Sequence, residues 1–224
     1  MIIVGRKDGR IEKTPASSVS QKIKGYNTHT VLGGEFAVVS DSEDIALKTL
    51  LGSCVALMFY DRVNKIKSMN HFLLPTTSDN TNDMKYGLYS VEAMLNEMFK
   101  MGSLKSNIFA KISGGADIMN LNLKTSIGER NVEFAKEFCQ KEGIRIISEH
   151  TRGTNGRLIL LANNFETFIK STQKSETVSK IASNEKSLQI EISKAPVIKE
   201  YSGAIELFGK NKDKLDEKME IELF

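Results

Sequence analysis

The chain has 224 residues, a formal net charge of +3, 40% hydrophobic residues and 26% charged residues. This composition is typical of a globular protein, and the length suits one sizeable domain with extensions or two small domains. The mild charge gives no reason to expect a nucleic-acid partner, and no run approaches the roughly 18 consecutive apolar residues of a membrane span. Because no signal-peptide pattern is present either, we expect a cytoplasmic protein without membrane insertion.

Apolar runs separated by turn residues predict most of the chain's elements. Strands are predicted over residues 35–40, 46–50, 55–60, 68–74, 107–113, 144–147 and 156–161. Helical spacing predicts one helix over 86–101, and Ser126 with Glu129 three residues later predicts the capped start of a second. Because strands and helices do not alternate strictly, we expect an α/β sandwich with mixed sheets rather than a doubly wound parallel sheet.

Composition changes twice along the chain and divides it into three segments. We predict a loose basic arm over residues 1–30, a folded domain over 31–165 and a polar tail over 166–224. The tail repeats Ile-Glu-Leu-Phe at 205–208 and again at 221–224. Two copies on a solvated tether suggest docking motifs, and a chance repeat of common residues is the alternative.

Cys54 is the first residue that could carry chemistry. It follows Leu51-Gly52-Ser53, a predicted tight turn, and precedes a run of apolar residues. Gly52 allows the backbone to bend and approach a ligand closely, and the backbone N–H groups around Ser53 and Cys54 could form an oxyanion hole. The alternative is a small buried apolar cysteine, which is common in protein cores.

His71 follows Cys54 by 17 residues and lies in a second apolar run. If residues 55–60 and 68–74 form a hairpin, the thiol and the imidazole come close enough for a nucleophile and its base. Thr49 is the candidate for orienting the imidazole. The alternatives are a structural histidine bonded to backbone and a threonine that simply favours a strand.

The remaining titratable candidates are weaker. Cys139 falls on the inner stripe of a predicted helix, His29 in the arm is expected to be solvated, and His150 has no predicted partner. Two isolated cysteines and three scattered histidines lack the spacing of a zinc site, and no phosphate-loop motif occurs. We therefore expect neither a metal nor a cofactor.

Several of these residues belong to motifs that occur together. The motifs are Thr49–Ala56, Met69–Pro75, Lys85–Gly87, Lys111–Ala116, Ile127–Asn131 and Gly153–Arg157. In this order, over about residues 30 to 162, the chain resembles the CheD family. Two positions depart from the usual pattern: Lys67-Ser68 replaces a glycine pair, and Ser113 replaces a phenylalanine.

The resemblance implies a chemoreceptor glutamine deamidase whose fold is similar to the catalytic domain of the cytotoxic necrotizing factor toxins. It places the catalytic cysteine at Cys54, the histidine at His71 and, less directly, the threonine at Thr49. Its other motif residues are expected near the substrate or its oxyanion: Gly52, Ser53, Asn70, Gly114 and Gly115. It also implies two partners, the cytoplasmic helices of chemoreceptors and a CheC-like phosphatase.

Three alternatives stay open at the level of the sequence. The chain could act chiefly as a docking module for receptors or for a CheC-like phosphatase, with minor catalysis. It could be a cysteine peptidase or a transglutaminase-like enzyme. The same cysteine and histidine could also hydrolyse a glutamate methyl ester, because the carbonyl chemistry is shared.

Overall fold

The computed structural model describes residues 1–19, 21–74, 80–118, 126–172 and 175–194. Within these ranges the strands are β1 (Ile2–Gly5), β2 (Ile11–Thr14), β3 (Lys22–Ile23), β4 (Tyr26–Thr30), β5 (Phe36–Ser40), β6 (Ile45–Leu51), β7 (Val55–Asp61), β8 (Ile66–Asn70), β9 (Ile108–Gly114), β10 (Arg145–Thr151), β11 (Gly156–Leu161) and β12 (Thr167–Thr172). The α-helices are α1 (Asn80–Lys100), α2 (Ile127–Lys141) and α3 (Ser175–Lys194). None of these helices is both long and apolar enough to cross a membrane.

The described strands form two sheets. Sheet one has seven strands in the order β10-β9-β7-β8-β5-β1-β2, and sheet two has five in the order β12-β11-β6-β4-β3. Each sheet contains one parallel pair, β9 with β10 and β4 with β6, while the other pairs are antiparallel. The predicted α/β sandwich with mixed sheets is confirmed.

The strand β7 lies at the centre of the fold and is buried on both faces. Val55, Leu57 and Phe59 pack with apolar residues of α1 and α2. The alternate residues Ala56 and Met58 pack with β6 and β11 of sheet two. This placement explains why the sequence of β7 is a continuous apolar run rather than an alternating one. In the described residues, sheet one therefore lies between two other layers, which are helices α1 and α2 on one face and sheet two on the other.

The elements predicted between residues 35 and 161 are all present, with ends displaced by a few residues. The predicted hairpin is β7 paired antiparallel with β8. The predicted cap of α2 is also confirmed, since the Ser126 hydroxyl accepts a hydrogen bond of 3.1 Å from the Glu129 N–H. A side-chain acceptor at this position satisfies one of the free N–H groups at a helix start.

The structure differs from the expected segments at both ends of the chain. The start is not a loose arm, because β1 is paired with β2 and β5 and its residues Ile2 and Val4 are fully buried. After residue 165 the chain adds β12 to sheet two, and α3 buries Ile181, Leu188 and Ile192. Both copies of Ile-Glu-Leu-Phe lie outside the described residues. A segment that is polar on average can still have apolar residues at helical spacing, and these residues form one buried face.

Candidate active site

The hairpin brings Cys54 and His71 to one face of sheet one. Val55 and Phe72 form an antiparallel bridge with two backbone hydrogen bonds of 3.0 Å. Cys54 and His71 each precede one member of this bridge, so they are diagonal neighbours and point to the same face. That face is turned toward sheet two, because Cys54 and Leu73 pack with its apolar residues.

Thr49 reaches His71 from the opposite sheet. Its Oγ1 lies 2.8 Å from His71 Nδ1 and donates to the Val31 carbonyl over 2.8 Å. A hydroxyl has a single hydrogen, and here the Val31 carbonyl takes it, so Oγ1 accepts from the imidazole. The hydrogen of the neutral ring is therefore on Nδ1, and Nε2 carries the free lone pair.

The free nitrogen of His71 is ready to act as a base. Nε2 is buried and has no hydrogen-bond partner among the described residues. Burial lowers the pKa of His71, and this effect outweighs the nearby Glu185 and Glu35 carboxylates, which favour the charged ring. A neutral imidazole with an unoccupied Nε2 can take a proton from a thiol or from water.

The turn before Cys54 presents three backbone N–H groups to one carboxylate. Glu185 of α3 accepts from the N–H groups of Gly52 over 3.0 Å, Ser53 over 3.1 Å and Cys54 over 3.1 Å. The Ser53 hydroxyl donates to the same carboxylate over 2.6 Å. Converging backbone donors of this kind bind anions and stabilise oxyanions. Gly52 and Ser53 thus contribute two of the three backbone donors that converge beside Cys54.

The Cys54 thiol is protonated while Glu185 is in place. Cys54 is completely buried, and burial raises the pKa of its thiol well above the ordinary value. The negative charge of Glu185 and a hydrogen bond to its carboxylate raise the pKa of Cys54 further. A thiolate beside this carboxylate would place two negative charges together, which is unfavourable.

Gly114 and Gly115 support the Cys54 turn from behind. The Gly115 N–H donates to the Cys54 carbonyl over 2.8 Å, and the Ala116 N–H donates to the Gly52 carbonyl over 2.7 Å. At Gly114 the φ angle is +119°, and a Cβ there would lie 2.2 Å from the Cys54 carbonyl oxygen. Both glycines therefore support the backbone at Cys54, and their expected place near the substrate stays a prediction.

Asn70 lies away from Cys54, contrary to the expected substrate role. Its Oδ1 accepts from the Leu57 N–H over 3.0 Å, and its Nδ2 lies 3.4 Å from Ser90 Oγ on α1. The side chain thus occupies the helix side of sheet one. It satisfies polar groups inside the core and ties the hairpin to α1.

Asn131 was not identified from the sequence as a site residue, although it ends one of the motifs. It is fully buried on α2, its Nδ2 donates to the Ser53 carbonyl over 2.8 Å, and its Oδ1 accepts from the Leu74 N–H over 2.8 Å. One amide therefore joins the turn before Cys54 to the segment after His71. An asparagine within an apolar helix stripe was the available signal, because a buried amide needs partners.

Glu185 was also missed, because the segment after residue 165 was expected to be solvated. The signal was a glutamate in the middle of an apolar stripe. Ile181, Glu185, Leu188 and Ile192 follow one another at spacings of four, three and four residues, which places them on one helix face. A charged side chain on the buried face of a helix needs hydrogen-bond or ionic partners, because burying an unpaired charge is costly.

The other candidates do not join this site. Cys139 packs in the core beside α2's apolar residues, and burial raises its pKa to about 12. His29 is half-buried in β4 rather than solvated, and His150 lies 2.9 Å from the guanidinium of Arg157. Within the described ranges no group of three or more histidines, cysteines and acids could hold a metal.

Comparison with solved structures finds partial likenesses. The hypothetical protein YfiH of Bacillus licheniformis is 16% identical, with a TM-score of 0.34 over 49% of this chain and 48% of that chain. The C-terminal domain of CNFy from Yersinia pseudotuberculosis is 8% identical, with a TM-score of 0.30 over 66% of this chain and 57% of that chain.

Comparison of sequences finds closer relatives. The family model for CheD, described as chemotactic sensory transduction, matches residues 73–171. A Rhizobium meliloti protein named "Probable chemoreceptor glutamine deamidase CheD" is 41% identical over 59% of this chain and 73% of that protein. A Stenotrophomonas maltophilia protein of the same name is 36% identical over 80% of this chain and 87% of that protein. On the strength of this identity over most of each relative's length, the chain belongs to the CheD family.

Proposed function

We propose that this chain is a hydrolytic deamidase that converts chemoreceptor glutamines to glutamates, with Cys54 as nucleophile and His71 as base. The observation that carries the proposal is the Thr49–His71 hydrogen bond of 2.8 Å, which leaves Nε2 free on the face that also holds Cys54. The names of the two relatives point to the same substrate.

The first half of the reaction forms a thioester. His71 Nε2 takes the proton of the Cys54 thiol, and the sulfur attacks the carboxamide carbon of the glutamine. The carbonyl oxygen becomes an oxyanion that accepts hydrogen bonds from the N–H groups of Gly52 and Cys54. As the oxyanion collapses, the C–N bond breaks, and ammonia leaves with the proton that His71 returns.

The second half of the reaction hydrolyses the thioester. His71 takes a proton from water, and the resulting hydroxide attacks the same carbon. The C–S bond breaks, Cys54 regains its proton, and glutamate is released. The carboxylic acid then gives its proton to the released ammonia, so the sum is glutamine plus water giving glutamate plus an ammonium ion, with no cofactor.

Thr49 is a positioning residue in this scheme. It accepts from Nδ1–H and so fixes the orientation of the ring, with Nε2 left free on the face that also holds Cys54. The proposed substrates are the cytoplasmic helices of chemoreceptors, which places the proposed reaction in the cytoplasm. A CheC-like phosphatase is a proposed partner on the family resemblance.

The test is conversion of glutamines in a purified cytoplasmic receptor fragment, measured as ammonia release with mass spectrometry to locate the converted residues. We expect conversion by the wild type and none by Cys54→Ala. Cys139→Ala is the matched control, because it removes the other buried thiol, which lies in a different core cluster from Cys54, and should keep the activity. Binding of the fragment without conversion by the wild type would favour the docking module instead.

A further inference from the structure

A glutamate of the chain itself occupies the anion cradle of the proposed active site. Glu185 is 3% exposed, and its carboxylate accepts from three backbone N–H groups and the Ser53 hydroxyl. Burial of a carboxylate is costly unless its partners replace water. Here they do so at the turn that carries Cys54, although the function proposed for this turn is to bind a substrate oxygen.

The helix that carries Glu185 fits a groove lined by glycines. A Cβ at Gly52 would lie 2.7 Å from the Ile181 side chain, and one at Gly156 would lie 2.6 Å from it. A Cβ at Gly33 would lie 2.7 Å from the Leu188 side chain. Any side chain at these glycines would overlap α3, so the groove has two apolar subsites that flank the carboxylate.

Helix α3 does not fill the whole volume of the groove. A cavity of about 300 Å³ remains between α3 and the segment 30–33, and His71 and Thr49 border it. The groove can therefore accept a helix with other side chains in the same place. Its three parts are the anion cradle beside Cys54 and the two subsites now filled by Ile181 and Leu188.

The chemistry of the bound group matches the proposed reaction. A glutamate side chain is what remains when a glutamine at the same position loses its amide. The hydrogen bonds to the carboxylate place Glu185 next to the Cys54 thiol, where a reaction product would lie. A group that resembles the product and is attached to the chain competes at a high effective concentration.

We propose that α3 is a pseudosubstrate bound in the substrate groove, with Glu185 in the place of a product glutamate. This proposal rests on the deamidase function proposed above and assigns the substrate class. The groove takes a helix whose glutamine has an apolar residue four positions before it and another three positions after it, as Ile181 and Leu188 flank Glu185. A receptor helix must displace α3 before it reacts.

Glu185→Gln turns the pseudosubstrate into a substrate and gives the sharpest test. Cys54 then attacks the carboxamide of Gln at position 185, ammonia leaves, and water hydrolyses the thioester to restore glutamate. Mass spectrometry of the purified variant should find glutamate at position 185, and the double variant Cys54→Ala/Glu185→Gln should keep glutamine there. Gln189, one turn away on the same helix, is the internal control and should remain unconverted.

Two further variants measure the occlusion and the specificity. Glu185→Ala should raise kcat/KM for the receptor fragment by roughly tenfold or more, because the open groove becomes the main population. Lys186→Ala is its matched control, since Lys186 lies next to Glu185 on the same helix but is exposed; its kcat/KM should stay at the wild-type value. The receptor glutamines that are converted should carry apolar residues at the two predicted positions.

The outcomes separate this inference from the proposed function. Receptor conversion with a stable Gln at position 185 and no gain in Glu185→Ala would overturn the pseudosubstrate and leave the deamidase. Conversion at position 185 without any receptor conversion would support the pseudosubstrate and the Cys54 chemistry, and would remove receptors as the substrate. Absence of conversion in both proteins would overturn both proposals.

Discussion

The hydrogen bond between Thr49 and His71 can be tested by Thr49→Val, which replaces a hydroxyl by a methyl group of nearly the same volume. Thr49 is 1% exposed, and its Oγ1 bonds both the Val31 carbonyl and His71 Nδ1, each over 2.8 Å. The variant removes both hydrogen bonds without opening a cavity. The imidazole then loses the acceptor that fixes its orientation.

The expected magnitudes follow from the groups left without partners. A buried polar group that loses its partner costs about 1–3 kcal/mol, so Thr49→Val should lower the free energy of unfolding by this amount or somewhat more. Loss of an orienting hydrogen bond should lower kcat on the order of 10- to 100-fold. KM should change less than kcat, because Thr49 acts through His71 in the proposed mechanism.

The assay is the rate of glutamine conversion in a receptor fragment, with urea unfolding of the same samples. Thr28→Val is the matched control, since Thr28 is 3% exposed and its hydroxyl donates over 3.0 Å to the carbonyl of Gln21, the residue before β3. The control should lose stability and keep kcat, and Thr49→Ser should restore most of the activity. A wild-type kcat in Thr49→Val would refute the positioning role.

Three further predictions concern the groups around the nucleophile. Asn131→Ala should lower the free energy of unfolding by about 1–3 kcal/mol, because the Ser53 carbonyl and the Leu74 N–H lose their buried hydrogen-bond partner, and it should lower kcat. An unchanged urea midpoint would contradict the loss of stability. Because Glu185 raises the pKa of Cys54, iodoacetamide should alkylate Cys54 slowly at neutral pH and faster in Glu185→Ala, with Cys139 unreactive as the internal reference; equal Cys54 rates would contradict this. Because burial lowers the pKa of His71, the folded state binds fewer protons there than the unfolded chain. As the pH falls below about 6.5, the pKa of histidine in the unfolded chain, the free energy of unfolding should therefore decrease by up to about 1.4 kcal/mol per pH unit. Urea unfolding between about pH 6.5 and 5.5 should show a smaller decrease for His71→Gln.

The elements around Cys54 could be predicted because the signals are local. The apolar run of β7, the loop after it and the second run predicted a hairpin, and that hairpin places Cys54 and His71 on one face. The turn at Gly52 and Ser53 was likewise readable from two small residues before a buried strand. Short-range topology was enough to place Cys54 and His71 on one face.

Contacts between distant segments could not be predicted in the same way. Thr49 was suggested as a candidate, but its approach to His71 depends on how sheet two packs over sheet one. Asn70 shares a motif with His71, yet alternation along the strand turns it to α1. A motif therefore indicates which residues are near one another in the chain, and not which face each occupies.

The segment after residue 165 shows the limit of reading by composition. Frequent serine, lysine and asparagine predicted a solvated tail, whereas apolar residues at helical spacing form the buried face of α3. The placement of Glu185 depends on glycines more than 100 residues away, at positions 33 and 52. Nothing local marks such a groove, and only the buried charge in the stripe indicates it.

The most direct test of covalent catalysis by Cys54 is to trap the thioester. Hydroxylamine is added during the reaction with a receptor fragment, where it competes with water for the thioester and leaves a hydroxamate at the reacting glutamine. We expect hydroxamate at the glutamines that are otherwise converted to glutamate, and none with Cys54→Ala. Continued formation of glutamate by Cys54→Ala, or glutamate without hydroxamate at saturating hydroxylamine, would contradict a covalent role for Cys54.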